Sequence, residues 1–130
     1  MLLLHWAKKL AECKAIGRET KMTELVAQKG KVTGRTAFDG KRLGDAAACE
    51  VVDEYIKYLA SGIASMINIF QPEVLSIGGG ISNEGQYLLD LVVPEVHRQQ
   101  YGTGLVPQTD IRIAKLRNDA GIIGAAVLGM

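Results

Sequence analysis

Three consecutive glycines, Gly78, Gly79 and Gly80, constrain the fold of this chain more than any other feature of the sequence. They follow directly on residues 73–77, a short apolar run typical of a strand. After them, Ser82 or Asn83 is expected to cap a further helix. Strand, glycine loop and helix in this order predict an α/β fold. Because glycine has no side chain, such a loop also lets the backbone approach a ligand closely.

A long helix is predicted immediately before this strand. Apolar residues recur at helical spacing from Ala48 to Phe70, and Asp45 stands where a helix cap belongs. Pro72 cannot continue the helix, because it lacks the amide proton and clashes with the preceding turn. Earlier in the chain, shorter helices are expected over residues 3–13, 23–28 and 37–42. Their expected boundaries are Gly17 as the end of the first, and Thr23 and Thr36 as caps of the next two.

The C-terminal part is predicted to add two helices and a strand. A helix that ends near Gln100 contains Pro94, which is tolerable as a kink or as the first turn of a second helix. A strand is expected over residues 110–116 and a small-residue helix over residues 119–128. An α/β domain ordinarily packs its helices on about five strands. A chain with two strands is therefore expected to borrow strands from elsewhere or to be cut from something larger.

Composition limits the classes of protein to which the chain can belong. With 130 residues, 48% of them hydrophobic, it is predicted to form a single domain, residues 1–130. Lys and Arg total 15 against 14 Asp and Glu, so no basic excess favours nucleic-acid binding. The apolar N-terminal run is interrupted by Lys8 and Lys9, well short of a membrane span. A cytoplasmic protein that binds neither nucleic acid nor membrane is expected.

The cysteines and histidines do not form a metal-binding pattern. Cys13 and Cys49 are too far apart in the sequence for a zinc or redox spacing, so buried, reduced thiols are expected. His5 and His97 lie on different predicted helices without paired cysteines nearby. The sequence therefore predicts no metal site in this chain.

Each glycine-rich element allows two interpretations on its own. The triple glycine lacks the third glycine of the dinucleotide fingerprint, and no Gly-Lys-Ser/Thr follows it, so a tight turn is as good an explanation as a nucleotide site. In the second element, residues 118–126, small residues allow close helix packing. Asp119 is expected to cap that helix rather than to act as a catalytic carboxylate.

Taken together, the two elements are more specific. Residues 72–82, followed by residues 118–126, resemble the C-terminal half of ROK-family glucokinases and related repressors. The run Thr36-Ala37-Phe38-Asp39, with Gly44-Asp45 and the long helix, matches the segment that leads into it. The resemblance covers roughly residues 33–129.

The resemblance implies a partial actin-like, ribonuclease-H-type ATPase lobe, rich in helices and with a small sheet. In that family ATP and sugar lie between two lobes, and the triple-glycine loop borders the adenosine, a role that Gly78, Gly79 and Gly80 would inherit. The complete enzyme would bind an adenine nucleotide with magnesium, and a sugar. The glycine-alanine helix would close the sheet side of the same lobe.

Three family motifs have no counterpart here: the Asp-x-Gly-Gly-Thr phosphate loop, the mid-chain catalytic Asp and the zinc motif. We therefore expect no catalytic residue in this chain and no phosphorylation by the chain alone. An unpaired sheet edge and uncovered helix faces would favour self-association, so a homo-oligomer is expected. The resemblance implies that the chain is the C-terminal, nucleotide-side portion of an ATP-dependent hexose kinase. A ROK-type transcriptional regulator, with this lobe serving effector sensing and oligomer contacts, is the alternative. A dimerisation module without enzymatic activity is a third hypothesis.

Overall fold

The computed structural model describes residues 7–9, 11–13, 20–30, 33–116 and 119–128. The chain divides into two compact units, residues 1–56 and 57–130. Residues 7–9 and 11–13 are helical, in agreement with the helix expected over residues 3–13, and Gly17 lies outside the described residues. No helix in these ranges has the length and apolarity needed to cross a bilayer.

The first unit contains two short helices and the start of a long one. Helix α1 spans Lys21–Lys29 and helix α2 spans Gly34–Arg42. Both predicted caps were wrong, because Thr23 lies inside α1 and Thr36 lies inside α2. The residue before α2, Thr33, donates its amide to the Thr36 hydroxyl at 3.4 Å, and the two hydroxyl groups are 2.9 Å apart. Thr36 is therefore the inner partner of the cap rather than the cap itself.

Helix α3 spans Ala46–Phe70, as the helical spacing and Pro72 predicted. Its Asp45 cap is confirmed, since the carboxylate accepts the Ala48 amide at 2.8 Å. The buried stripe includes the predicted Ala48, Val52, Ile56, Ile63 and Ile67. Two residues of the predicted stripe near the C-terminal end are not buried, since Met66 is 54% and Phe70 is 71% exposed.

The second unit contains a parallel sheet of two strands in the described part of the chain. Strand β1, Val74–Ile77, pairs with β2, Asp110–Ile113. In the register of this pairing, Val74 lies opposite Asp110 and Ile77 lies opposite Ile113. Strand β2 is shorter than predicted, because residues 115–116 already form a turn.

Two helical segments follow β1. A 3-10 helix, Gly80–Glu84, comes first, and helix α4, Gln86–Gln99, continues through Pro94 as one element. Of the two possibilities expected for Pro94, the structure excludes the second helix and has Pro94 inside a single one. Leu88, Val92 and Val96 form the fully buried face of α4. Helix α5, Ala120–Val127, closes the described chain.

Candidate functional site

The carboxyl ends of β1 and β2 lie at one edge of the sheet, because the two strands are parallel. Gly78 continues from β1, and Ala114 continues from β2 and donates its amide to the Ile77 carbonyl at 2.9 Å. In open α/β sheets, ligands bind outside the carboxyl ends of the strands. The three glycines predicted as the nucleotide site therefore lie at the edge where such a site is expected.

The glycine loop is open to solvent. Gly78, Gly79 and Gly80 are all exposed, and a Cβ atom built on Gly79 or Gly80 would meet no atom within 4 Å. Close packing against protein does not explain the last two glycines. Gly79 has a φ of 77°, a backbone conformation that residues with side chains rarely adopt. The loop thus combines a left-handed turn with free space above the backbone.

Ser82 makes two hydrogen bonds to the glycine loop. It was expected to cap the next helix, and that prediction was wrong, because Ser82 lies inside the 3-10 helix and donates its hydroxyl back to the Gly79 carbonyl at 2.6 Å. The Ser82 amide donates to the same oxygen at 3.1 Å. Asn83, the other expected cap, also lies inside the 3-10 helix. The residue that precedes α4 is Gly85.

The second glycine-rich element forms α5, directly after β2 and its turn. Asn118 lies outside the described residues. Asp119 precedes the helix, but its side chain makes no capping hydrogen bond, so the predicted cap was wrong. Its φ of −81° and ψ of −11° are already helical, whereas a capping residue normally has extended backbone angles. Apolar side chains of α5 are exposed, with Ile122 at 72%.

A cavity of about 470 Å³ lies at the opposite edge of the sheet. Glu73 and Thr109, which immediately precede the two strands, line it together with Asn68 and Tyr101. Asn68 accepts the Tyr101 amide at 2.9 Å, and Thr109 donates its hydroxyl to the Pro72 carbonyl at 2.7 Å. The first contact joins the end of α3 to the segment after α4, and the second joins the segments that precede the two strands. Asn68 and Thr109 therefore have structural roles, and the cavity lies away from the glycine loop.

The first unit has a second polar cluster, around Asp45. One carboxylate oxygen of Asp45 accepts the Lys21 amide at 2.7 Å and the Thr20 hydroxyl at 3.0 Å, while the other accepts the Ala48 amide. Burial opposes ionisation of this group, but the hydrogen bonds outweigh it and lower the pKa of Asp45. The cluster joins the starts of α1 and α3, which gives it a structural role.

Neither cysteine forms a disulfide: Cys13 is buried and free, and Cys49 is half-buried and free. Within the described ranges, no group of three or more His, Cys, Asp or Glu side chains is arranged to hold a metal ion. His97 lies on α4, and His5 lies outside those ranges.

Sequence reasoning located the glycine loop but missed the side chain that holds it. Ser82 was predicted to be a helix cap, because serine before a helical pattern usually has that role. A serine three residues after a glycine can equally return its hydroxyl to the glycine carbonyl. Asp45 was recognised as the cap of α3, but its contacts with Thr20 and Lys21 join residues remote in sequence and left no local signal.

Several known proteins are similar to this chain in sequence. The chain is 38% identical over 100 residues to a glucokinase of Halalkalibacterium halodurans, covering 76% of this chain and 30% of that protein. It is 35% identical over 107 residues to a glucokinase of Thermotoga maritima, covering 79% of this chain and 32% of that protein. The chain therefore spans about a third of the length of these relatives.

A solved structure matches the whole fold. The ROK family glucokinase from Streptomyces griseus, in complex with glucose and AMPPNP, superposes with a TM-score of 0.78 at 25% identity, over 98% of this chain and 40% of that one. The predicted fold class, a helix-rich part of an actin-like ATPase with a small sheet, is confirmed. The model of the ROK family matches residues 8–130, nearly the entire sequence. This chain belongs to the ROK family.

Proposed function

We propose that this chain is the nucleotide-side portion of an ATP-dependent hexose kinase, which transfers the γ-phosphoryl group of ATP to a sugar hydroxyl. The observation that carries the proposal is the exposed glycine loop at the carboxyl edge of a parallel sheet, in a chain matched along nearly its whole length by the ROK family. The adenosine part of the nucleotide lies against Gly78, Gly79 and Gly80. The free space above Gly79 and Gly80 suits a flat ligand that approaches the backbone.

The chain contributes binding rather than chemistry in this proposal. Phosphoryl transfer depends on positioned phosphates, a metal-supporting carboxylate and a group that accepts the proton of the sugar hydroxyl. The sequence has no Asp-x-Gly-Gly-Thr loop and no counterpart of the family's catalytic Asp. Magnesium would come with the nucleotide, because it is usually bound by substrate phosphates together with one or two carboxylates. We therefore expect no turnover by the 130 residues alone.

Relatives favour a kinase over a transcriptional regulator. Both curated relatives named above are glucokinases, and the solved structure contains glucose and AMPPNP. The single domain expected over residues 1–130 and the homo-oligomer remain predictions. Exposed apolar side chains on α5 and at the C-terminal end of α3 support self-association.

Calorimetric titration tests the nucleotide site. ATP and ADP, each with magnesium, are titrated into the 130-residue chain, and a coupled assay measures glucose phosphorylation in parallel. We expect weak binding without turnover. Gly79→Val should abolish binding, because a branched side chain occupies the approach to the loop and disfavours the left-handed turn.

Gly104→Val is the matched control. Gly104 lies in the same unit, has a φ of 81° and also has no neighbour within 4 Å of a built Cβ, so it carries a similar strain away from the loop. Binding that survives in folded Gly79→Val removes the glycine loop from the site. Absence of ATP and ADP binding by the unmodified chain contradicts the nucleotide-side proposal, and turnover contradicts the expected inactivity.

A further inference from the structure

Among the residues that the structure describes, Ser82 bonds to the glycine loop with its side chain, through the Gly79 carbonyl. It is completely buried, and both of its donors, the amide at 3.1 Å and the hydroxyl at 2.6 Å, go to that oxygen. A carbonyl oxygen has two lone pairs, so these two bonds use its full capacity. The Gly79 carbonyl is therefore held on the protein side of the loop.

The anchor continues into the core. The Ser82 carbonyl accepts the Gly85 amide at 3.1 Å, and the Gly85 carbonyl accepts the Leu88 amide at 3.2 Å. Leu88 is fully buried at the start of the apolar face of α4. A series of hydrogen bonds thus connects the exposed loop to helix α4.

Such an anchor matters because three successive glycines have little conformational preference of their own. Glycine populates positive and negative φ about equally, so the observed φ of 77° at Gly79 is one of several accessible turns. A peptide unit is planar, and its N–H points opposite to its C=O. When Ser82 holds the Gly79 carbonyl inward, the following N–H is turned outward, on the side from which a ligand approaches.

We propose that Ser82 is a positioning residue for nucleotide binding, which keeps the glycine loop in the single conformation that accepts the ligand. The inference rests on the proposed function of the loop. In this proposal the buried Ser82 hydroxyl orders the three glycines before the nucleotide binds. Less conformational entropy is then lost when the nucleotide binds.

Ser82→Ala tests this proposal, with Thr109→Val as the matched control. Thr109 is likewise buried and donates its hydroxyl to a backbone carbonyl, that of Pro72, but at the opposite edge of the same sheet. Each variant loses one hydroxyl-to-carbonyl bond of similar length. Amide hydrogen exchange by NMR and ATP titration are measured for both variants under conditions where each is fully folded.

In Ser82→Ala we expect the backbone amides at position 82 and at Gly85, which follow the loop, to exchange about tenfold faster. The ATP affinity should fall by about three- to tenfold, the range expected for loss of one net hydrogen bond. Thr109→Val should leave both unchanged, although its thermal stability falls comparably. A hydroxyl with only a structural role would lower stability in both variants without separating their ATP affinities.

Unchanged exchange of the loop amides in Ser82→Ala overturns the inference whatever the nucleotide result. Faster exchange with unchanged ATP affinity, in a protein where Gly79→Val abolishes binding, also overturns it and leaves the proposed function intact. If the unmodified chain binds no ATP, the proposed function fails, and with it the role of Ser82 in nucleotide binding. Faster exchange would then still show that Ser82 orders the loop.

Discussion

Asp45 joins the starts of two helices through one carboxylate. It is only 8% exposed and accepts hydrogen bonds from the amides of Lys21 and Ala48 and from the Thr20 hydroxyl. Amide donors that a helix leaves unpaired in its first turn are satisfied in this way in both α1 and α3. Asp119 occupies the equivalent place before α5 and makes no such bond. Two aspartates with the same sequence signature thus have different energetic roles.

Replacement of these aspartates separates the two roles. Asp45→Ala should lower the free energy of unfolding by about 2 kcal/mol, because it removes a cap and leaves buried donors unpaired. Asp119→Ala should change it by less than about 0.5 kcal/mol, as for most exposed substitutions. Chemical denaturation of the two variants and the unmodified chain measures both. Equal losses in both variants would show that the Asp119 side chain does cap α5 in solution.

The contribution of Asp45 should depend on pH in a direction that follows from its lowered pKa. Because the folded state binds the proton more weakly than the unfolded state, ionised Asp45 stabilises the fold fully above its unfolded pKa of about 3.9. That stability is lost as pH falls from there through the folded pKa. We expect the difference between the unmodified chain and Asp45→Ala to be constant above about pH 5 and to shrink below about pH 4. A difference that grows on acidification would contradict the lowered pKa.

Among the elements, α3 combines strong local signals with one local weakness. Its cap, helical spacing and terminal Pro72 were all visible in the sequence, and the structure has the helix where they place it. Gly62 lies in its exposed interior, where a built Cβ would meet no atom within 4 Å. Glycine in such a position costs about 0.5–1 kcal/mol relative to alanine, because the unfolded chain gains backbone freedom.

Gly62→Ala should therefore raise the free energy of unfolding by about 0.5–1 kcal/mol. Gly44→Ala is the control, since Gly44 also has open space around a built Cβ but has a φ of 72°. That backbone conformation disfavours alanine, and the variant should lose about 1 kcal/mol. Thermal denaturation compares the two. Stabilisation by both substitutions would mean that Gly44 relaxes to a negative φ at no cost.

Two element boundaries depended on hydrogen bonds that the spacing of apolar residues does not reveal. Ser82 was expected to start a helix and instead lies in a 3-10 helix, because its hydroxyl finds the Gly79 carbonyl. Strand β2 ends at Ile113, where pairing with β1 ends, although the strand was predicted to continue to Leu116. The partner of Ser82 lies three residues earlier in the chain, whereas the partner strand of β2 is remote in sequence.

At the scale of the whole molecule, the second unit exposes several large apolar side chains. Ile69 and Phe70 are each 71% exposed at the end of α3, and Ile122, Val127 and Leu128 are exposed at the C-terminal helix. The described sheet has two strands, and a pair of strands is marginally stable without further strands or helices to cover it. These features are typical of a protein that covers its surface by association.

We expect the purified chain to self-associate with increasing concentration, as measured by sedimentation velocity. Ile122→Gln should weaken association, because it places a polar group on the exposed face of α5. Tyr58→Gln, which changes a side chain that is also exposed but lies on α3, serves as the control. A monomer at all concentrations, or equal effects of the two variants, would contradict association through α5.

The sequence by itself determined the features that depend on neighbours along the chain. Helix α3, strand β1, the three glycines after it and the Asp45 cap follow from periodicity, from the absence of an amide proton in proline and from hydrogen bonds over a few residues. The family followed from two such elements taken together.

Only the tertiary structure decided which groups far apart in sequence meet. The parallel pairing of β1 with β2, the Asp45 contacts with α1 and the exposure of Phe70 all depend on partners remote in sequence, and hydropathy cannot distinguish among possible partners. The burial of Ser82 depends on the contacts that the 3-10 helix makes with α4. The sequence therefore located the candidate site, and packing decided what holds it in place.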